Sequence, residues 1–186
     1  MLFRSTVVVI DVVRSTTTII EALANGARAI FPTESTEDAV RLAQSLGRED
    51  SILCGERKGE KIEGFDLGNS PAEFTREVVE DKKLVMSTTN GTRALTIAQE
   101  GARVLPCALT NLAAVAAELA SVEHISVVCA GREDSFSLDD ALCAGHLIQR
   151  ILDALDEDEE EPELNDASRA ARALARARKP TKRVLS

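Results

Sequence analysis

Short apolar runs rich in β-branched residues alternate with amphipathic stretches along most of this chain, and that alternation restricts the fold more than any single motif. The runs Thr6–Ile10, Arg28–Phe31, Ser51–Cys54, Leu84–Ser87, Arg103–Pro106 and Ile125–Cys129 read as strands. The stretches Ser15–Asn25, Thr36–Leu46, Ser70–Glu80, Thr92–Glu100, Asn111–Ala120 and Leu138–Leu155 read as helices. Strands alternating with helices of this length predict βα units and a mainly parallel sheet in a three-layer α/β/α fold. Local signals agree. Gly26 stands where helices close, Pro32 ends a strand, Glu37 and Asp38 fall in a first helical turn, and Pro71 opens a helix. With no Trp or Tyr and only five Phe, the core must come from Val, Ile, Leu and Ala. Such a core suits strands buried on both faces.

The two halves of the chain echo each other. Ser15-Thr16-Thr17 precedes a helix, then Gly26-Ala27-Arg28 and Pro32; Ser87-Thr88-Thr89 precedes a helix, then Gly101-Ala102-Arg103 and Pro106. Thr36–Leu46 matches Thr110–Ala120, and Cys54-Gly55-Glu56-Arg57 resembles Cys129-Ala130-Gly131-Arg132. Proteins of βα type reuse the same caps, which would explain one match. Four in the same order predict an internal duplication of a βαβαβ unit, with halves of about 1–75 and 76–155 inside one domain, 1–155.

Charge divides the rest. Residues 156–163 carry seven acids and no base, and read as a solvated linker. Residues 164–186 carry seven Lys or Arg against Asp166, and read as an Arg-rich helix, Asp166–Lys179, with a tail. Residues 1–155 are left acidic, which argues against nucleic acid as a partner, because backbone phosphates demand many cationic contacts. The apolar runs are too short to span a bilayer. Cys54, Cys107, Cys129 and Cys143 are far apart without a CxxC pair and read as buried free thiols. Met1–Ser5 enters a strand at once, so no signal peptide is expected and the compartment reads as cytoplasmic. A homodimer is left open.

In parallel sheets ligands settle at the carboxyl ends of strands. Asp11 stands there, after Val7–Ile10. A carboxylate so placed can ligate Mg²⁺ or attack phosphorus, or it can simply cap a helix. Arg14 could grip a phosphate or carboxylate in a bidentate fashion, and Ser15, Thr16 and Thr17 offer hydroxyls and helix-start N–H groups. The turn Ser87–Arg93 repeats these elements with Thr88, Thr89, Asn90, Gly91, Thr92 and Arg93. Its Asn-Gly suits an anion-binding nest. The polar loop Gly55–Asn69 brings Glu56, Arg57, Lys58, Glu63 and Asp66, followed by Asn69, Ser70 and Pro71, as a cover that orders on binding. Ser137 and Asp140 form a capping-box-like pattern that accounts for one of Asp139 and Asp140, leaving the other for a metal. His124 and His146 have no partner pattern and read as structural. GxxxxGK[ST], GxGxxG and GxSxG are all missing.

Taken together, several segments resemble the 2-phosphosulfolactate phosphatase family. They are Val8–Thr17; Gly55-Glu56-Arg57 with Ile62–Pro71; Thr88–Leu95; Cys129-Ala130-Gly131; and Phe136–Gly145. The resemblance runs from about residue 6 to about 155, in family order. It implies a Mg²⁺-dependent phosphatase with an α/β/α core that hydrolyses 2-phospho-3-sulfolactate, on the way to coenzyme M. The catalytic set would be Asp11, Arg14, Arg57 and Arg93. Ser15, Thr16, Thr17, Glu56, Asn69, Ser70, Thr88, Thr89, Asn90, Gly91 and Thr92 would hold substrate. Asp11, Asp66, Asp139 and Asp140 are the candidate metal ligands. Three anionic groups on that substrate would match three Arg-bearing loops. Family members usually carry a segment before the first strand and another after the Arg-rich helix, so a fragment or a short version is expected here. A related phosphatase for another phosphorylated hydroxy acid and a non-catalytic anion-binding relative are the alternatives.

Overall fold

The computed structural model describes residues 4–155 and 162–177. In chain order the elements are β1 (Thr6–Ile10), α1 (Ser15–Ala24), β2 (Ala29–Pro32), α2 (Thr36–Leu46), β3 (Ser51–Arg57) and β4 (Glu60–Lys61). A 3₁₀ turn (Pro71–Glu73) and α3 (Arg76–Val79) precede β5 (Lys83–Ser87), α4 (Gly91–Ala98), β6 (Arg103–Cys107), α5 (Leu112–Leu119), β7 (Ile125–Cys129), α6 (Leu138–Asp153) and α7 (Asp166–Ala177). Most of the expected elements are present within a residue or two. Most of the acidic linker (residues 156–161) and the tail 178–186, with the end of the Arg-rich helix, lie outside the described residues. No helix among the described residues is long and apolar enough to cross a membrane.

The α/β/α expectation holds, and the strands fall into two sheets. One has the order β6-β1-β7, all parallel; the other is β2-β5-β3-β4, parallel except for the terminal β4. Each half thus lends its first strand to the other half's sheet: β1 lies between β6 and β7, and β5 lies between β2 and β3. The halves are matched in topology but are not separate bodies. Helices α1 and α4 lie between the sheets. There Ile19, Ala22, Ala94, Leu95 and Ala98 form one cluster with Val7 and Val9 of the first sheet and Leu84 and Met86 of the second. Helix α2 covers the outer face of the second sheet through Ala39 and Ala43. Helices α5 and α6 cover that of the first through Leu112, Val115, Cys143 and Leu147. Cys54, Cys107 and Cys143 are buried free thiols as expected, whereas Cys129, at the end of the outer strand β7, is exposed. Helix α7 then packs on α6 at Gly145, where a Cβ would overlap the Ala171 carbonyl.

The polar loop after β3 is more ordered than its composition suggests. The strand runs on to Arg57 and turns through Lys58 and Gly59, both at positive φ (53° and 86°), into β4. Such two-residue turns match the twist of the strands they join. A second hairpin follows β7, where Arg132 bridges Ser135 across Glu133 and Asp134, again both at positive φ (48° and 59°). The continuous helix expected at Ser70–Glu80 is instead a 3₁₀ turn and a single α-turn. The Glu73 carboxylate folds back to accept Gly68 N–H at 2.9 Å and Ser70 N–H at 3.3 Å. Asn25 then donates to the Phe74 carbonyl at 2.9 Å, taking the acceptor a continuing helix needs, while the Phe74 ring is fully buried.

Candidate active site

The first residues of α1 and α4 meet. A Cβ on Gly91 would collide with the Ser15 side chain and stand 2.6 Å from Asp11 Oδ2. Only glycine therefore fits at the start of α4. Two helix N-termini, each a source of positive potential, converge beside the one carboxylate of Asp11.

Local bonding fixes both turns in the same manner. Thr16 Oγ1 accepts Asp11 N–H at 3.0 Å and lies 2.8 Å from the Asp11 and Cys107 carbonyls, sharing its single proton between them. Thr92 Oγ1 accepts Thr88 N–H at 3.1 Å and donates to the Thr88 carbonyl at 2.8 Å. This corrects the sequence alignment of the halves. Ser15-Thr16-Thr17 corresponds in position to Gly91-Thr92-Arg93, at the same point of the helix start, and not to Ser87-Thr88-Thr89. The residues before the two helices, Arg14 and Asn90, also have related partners. Arg14 Nη2 donates to the Gly59 carbonyl at the first hairpin tip, and Asn90 Oδ1 accepts Glu133 N–H at the second.

Two further acids act as clasps. Glu56 Oε1 accepts Thr89 N–H at 2.7 Å while Oε2 accepts Gly59 N–H at 2.7 Å and the Thr89 hydroxyl at 3.1 Å. Asp140 Oδ1 accepts Val12 N–H at 2.8 Å and Oδ2 accepts Gly131 N–H at 3.1 Å. Each carboxylate ties a strand-to-helix turn to a residue at or beside a hairpin, and each is almost wholly buried. Their charges bear on Asp11. Burial, reinforced by Asp140 and Glu56 and only partly offset by Ser15 N–H, pushes the Asp11 carboxyl up to about 7. Burial also raises Asp140, against the N–H bonds it accepts.

The remaining expected site residues separate into groups. Arg93 Nη1 pairs with Asp134 at 2.8 Å on the surface, and Arg14 is half-buried at the first turn. Arg57 is tied into the fold through Ser87 Oγ (2.7 Å) and the carbonyls of Glu34 and Glu56. Ser15, Thr16, Thr88 and Thr92 are buried, and Thr17 gives its hydroxyl to the Val12 carbonyl at 2.7 Å. Ser70 belongs to the Glu73 capping box. The Asn69 carbonyl accepts the Thr18 hydroxyl, and its Oδ1 is buried without a protein partner among the described residues.

Among the expected metal ligands the arrangement is uneven. Asp66 is drawn away to Arg48 (2.8 Å) and Leu53 N–H (2.8 Å). Burial would raise its carboxyl, but these bonds hold it below the usual range. Asp139 accepts the Ser137 hydroxyl at 2.5 Å, and Asp140 is engaged as described. Among the described residues no three His, Cys, Asp or Glu side chains could hold a metal by themselves. A Mg²⁺ ion needs less, one or two carboxylates with substrate oxygens and water. Asp11 fits that need, because its buried charge has three acidic neighbours, Asp140, Glu56 and Asp139, and no cation among the groups that shift it. The sequence analysis expected Glu56 to hold substrate and Asp140 to hold metal or cap α6; their roles as clasps leave no local signal, because the backbone groups they accept from lie far along the chain.

The profile of the 2-phosphosulpholactate phosphatase family matches residues 2–186. The chain belongs to that family. It is 48% identical over 147 residues to a probable 2-phosphosulfolactate phosphatase of Clostridium beijerinckii, covering 78% of this chain and 62% of the relative. A protein of the same name from Clostridium acetobutylicum is 40% identical over 169 residues, covering 90% and 70%. One from Pseudothermotoga lettingae is 42% identical over 148 residues, covering 80% and 63%. The chain thus spans roughly two thirds of the length of these family members.

Proposed function

We propose that this chain carries the catalytic centre of a Mg²⁺-dependent phosphoric monoester hydrolase, with 2-phospho-3-sulfolactate as its substrate. Water and the ester would give 3-sulfolactate and phosphate, a step suited to coenzyme M synthesis. The observation that carries this reading is Asp11, a buried carboxylate without a counter-cation among the described residues, where two helix starts meet. A Mg²⁺ ion held by Asp11 would offset charge on the phosphoryl group. The other work belongs to the chain. The paired helix starts supply N–H dipoles for an anion, and Arg14 and Arg93 supply guanidinium groups for the remaining negative charges. Glu56 and Asp140 position the turns and hairpins around that anion. Gly91 lets the start of α4 approach Asp11 and Ser15 closely.

The test is phosphate release from 2-phospho-3-sulfolactate with Mg²⁺ and with EDTA. Asp11→Asn should lower turnover by at least about a thousandfold. Near-normal Mg²⁺-dependent turnover in that variant would sink the assignment. Sulfolactate binding by the wild-type chain without turnover would favour a non-catalytic anion-binding relative.

A further inference from the structure

Three consecutive residues at the end of β3 reach the same short stretch, Ser87–Thr89, where β5 passes into the second turn. Gly55 lies so close to it that a Cβ would stand 1.9 Å from the Ser87 carbonyl oxygen. Glu56 takes the Thr89 N–H and hydroxyl. Arg57 donates from Nη2 to Ser87 Oγ at 2.7 Å. Ser87 is fully buried, and its hydroxyl donates in turn to the Thr33 carbonyl at 3.0 Å. In the other half the turn after β1 is held instead from α6, by Asp140 at Val12.

The Arg57 guanidinium is spent on the fold. Its Nη2 donates both to Ser87 Oγ and to the Glu34 carbonyl at 3.0 Å, while Nη1 donates to the Glu56 carbonyl at 2.9 Å. The strand order is β2-β5-β3, and Glu34 follows β2. The side chain therefore runs across the end of β5 and ties together the strands on either side. A rigid planar fork can serve three fixed acceptors in this way, whereas a lysine ammonium is a point charge on a flexible stem.

We propose that Arg57 is a positioning residue: through Ser87 it sets where the start of α4 stands opposite Asp11, and it does not hold substrate. The bonds between Thr88 and Thr92 fix the shape of the second turn, and contacts from outside the turn fix its place. That place is tightly bounded, because Gly91 packs against Ser15 and Asp11 without room for a methyl group. A displacement of about 1 Å at a reacting site can cost about a hundredfold in rate. The kinetic consequence rests on the phosphatase reading; the structural one does not.

Arg57→Lys in the full chain keeps the charge and loses the fork. With 2-phospho-3-sulfolactate and Mg²⁺ it should lower kcat by about tenfold to a hundredfold, with KM within about threefold of wild type. Ser87→Ala should also lower kcat. The double variant should be within about threefold of Arg57→Lys alone, because both changes cut one connection. Amide exchange at Thr88, Thr89 and Thr92 should quicken by about tenfold in each single variant, while the β1 amides keep their wild-type rates. A raised KM at unchanged kcat in Arg57→Lys would make Arg57 a substrate-holding cation and overturn the proposal. Fully additive losses, unchanged exchange at those three amides, or equal quickening in β1 would overturn it as well. If the wild-type chain releases no phosphate, the phosphatase reading fails and the exchange rates alone decide. If Arg57→Lys does not fold, Ser87→Ala decides, and wild-type kcat and exchange in that variant would refute the proposal.

Discussion

Replacing Asp11 by Asn isolates the cost of keeping its charge in the fold. The carboxyl rises from an ordinary value of 3.8 to about 7, chiefly because it is 6% exposed and secondly because Asp140 and Glu56 are near. A folded-state value above the unfolded one means that the folded chain holds the proton more tightly. Stability from this group is complete below about pH 4 and drains away as pH rises through about 7. A rise of that size corresponds to about 4 kcal/mol at most, of which about 2–3 kcal/mol falls between about pH 5 and pH 8. Urea unfolding in EDTA at those two pH values should therefore show wild-type stability falling relative to Asp11→Asn by about that amount. Comparing the two pH values removes the pH-independent effect of placing an amide beside Ser15. Adding Mg²⁺ should narrow the gap at the higher pH, because a cation bound by the folded state stabilises only the charged site. An Asp11→Asn curve parallel to wild type across that pH range in EDTA would refute the reasoning.

Two other substitutions probe the surroundings of Asp11. Glu56→Gln turns an acceptor-only group into one whose amide faces N–H donors, and should cost about 2 kcal/mol in urea unfolding. It should also lower the midpoint of the Asp11 titration, since one nearby negative charge is gone. Gly91→Ala forces a methyl group against Ser15 and Asp11, and should cost about 1–3 kcal/mol by thermal melting. Turnover should fall as well, so a fully active Gly91→Ala chain would mean that the close approach of the two helix starts at Asp11 is not needed for catalysis.

How much of this could be read from residues alone varied with the range of the interaction. Strand β1, helix α2 and strand β7 match their expected bounds because their signals are local: apolar runs, caps and a following turn. The helix expected over Ser70–Glu80 failed because Asn25, far earlier in the chain, takes the Phe74 carbonyl. The echo between halves was visible, but its alignment at the Ser-Thr-Thr runs was off by one helical turn. Similar residues cap similar turns at different positions, and only the bonds of Thr16 and Thr92 fix the correspondence. At the site, Asp11 was legible from its place after a buried strand. The roles of Glu56, Arg57 and Asp140 were not, since each depends on backbone groups dozens of residues away or on a neighbouring loop. Asp66 was misleading for the same reason, with Arg48 as its partner.

The exchange of first strands has a consequence for how the molecule assembles. Thr6 lies beside Arg103 and Ile125, about a hundred residues away, so the central strand of one sheet cannot be placed until most of the chain has been made. Closing such loops is costly in entropy before any contact rewards it, which slows folding. Neither half has a finished sheet of its own to keep when the other opens. Unfolding should therefore be all-or-none across residues 6–129, and the Asp11 site, seated at the crossing point, forms and melts with the whole.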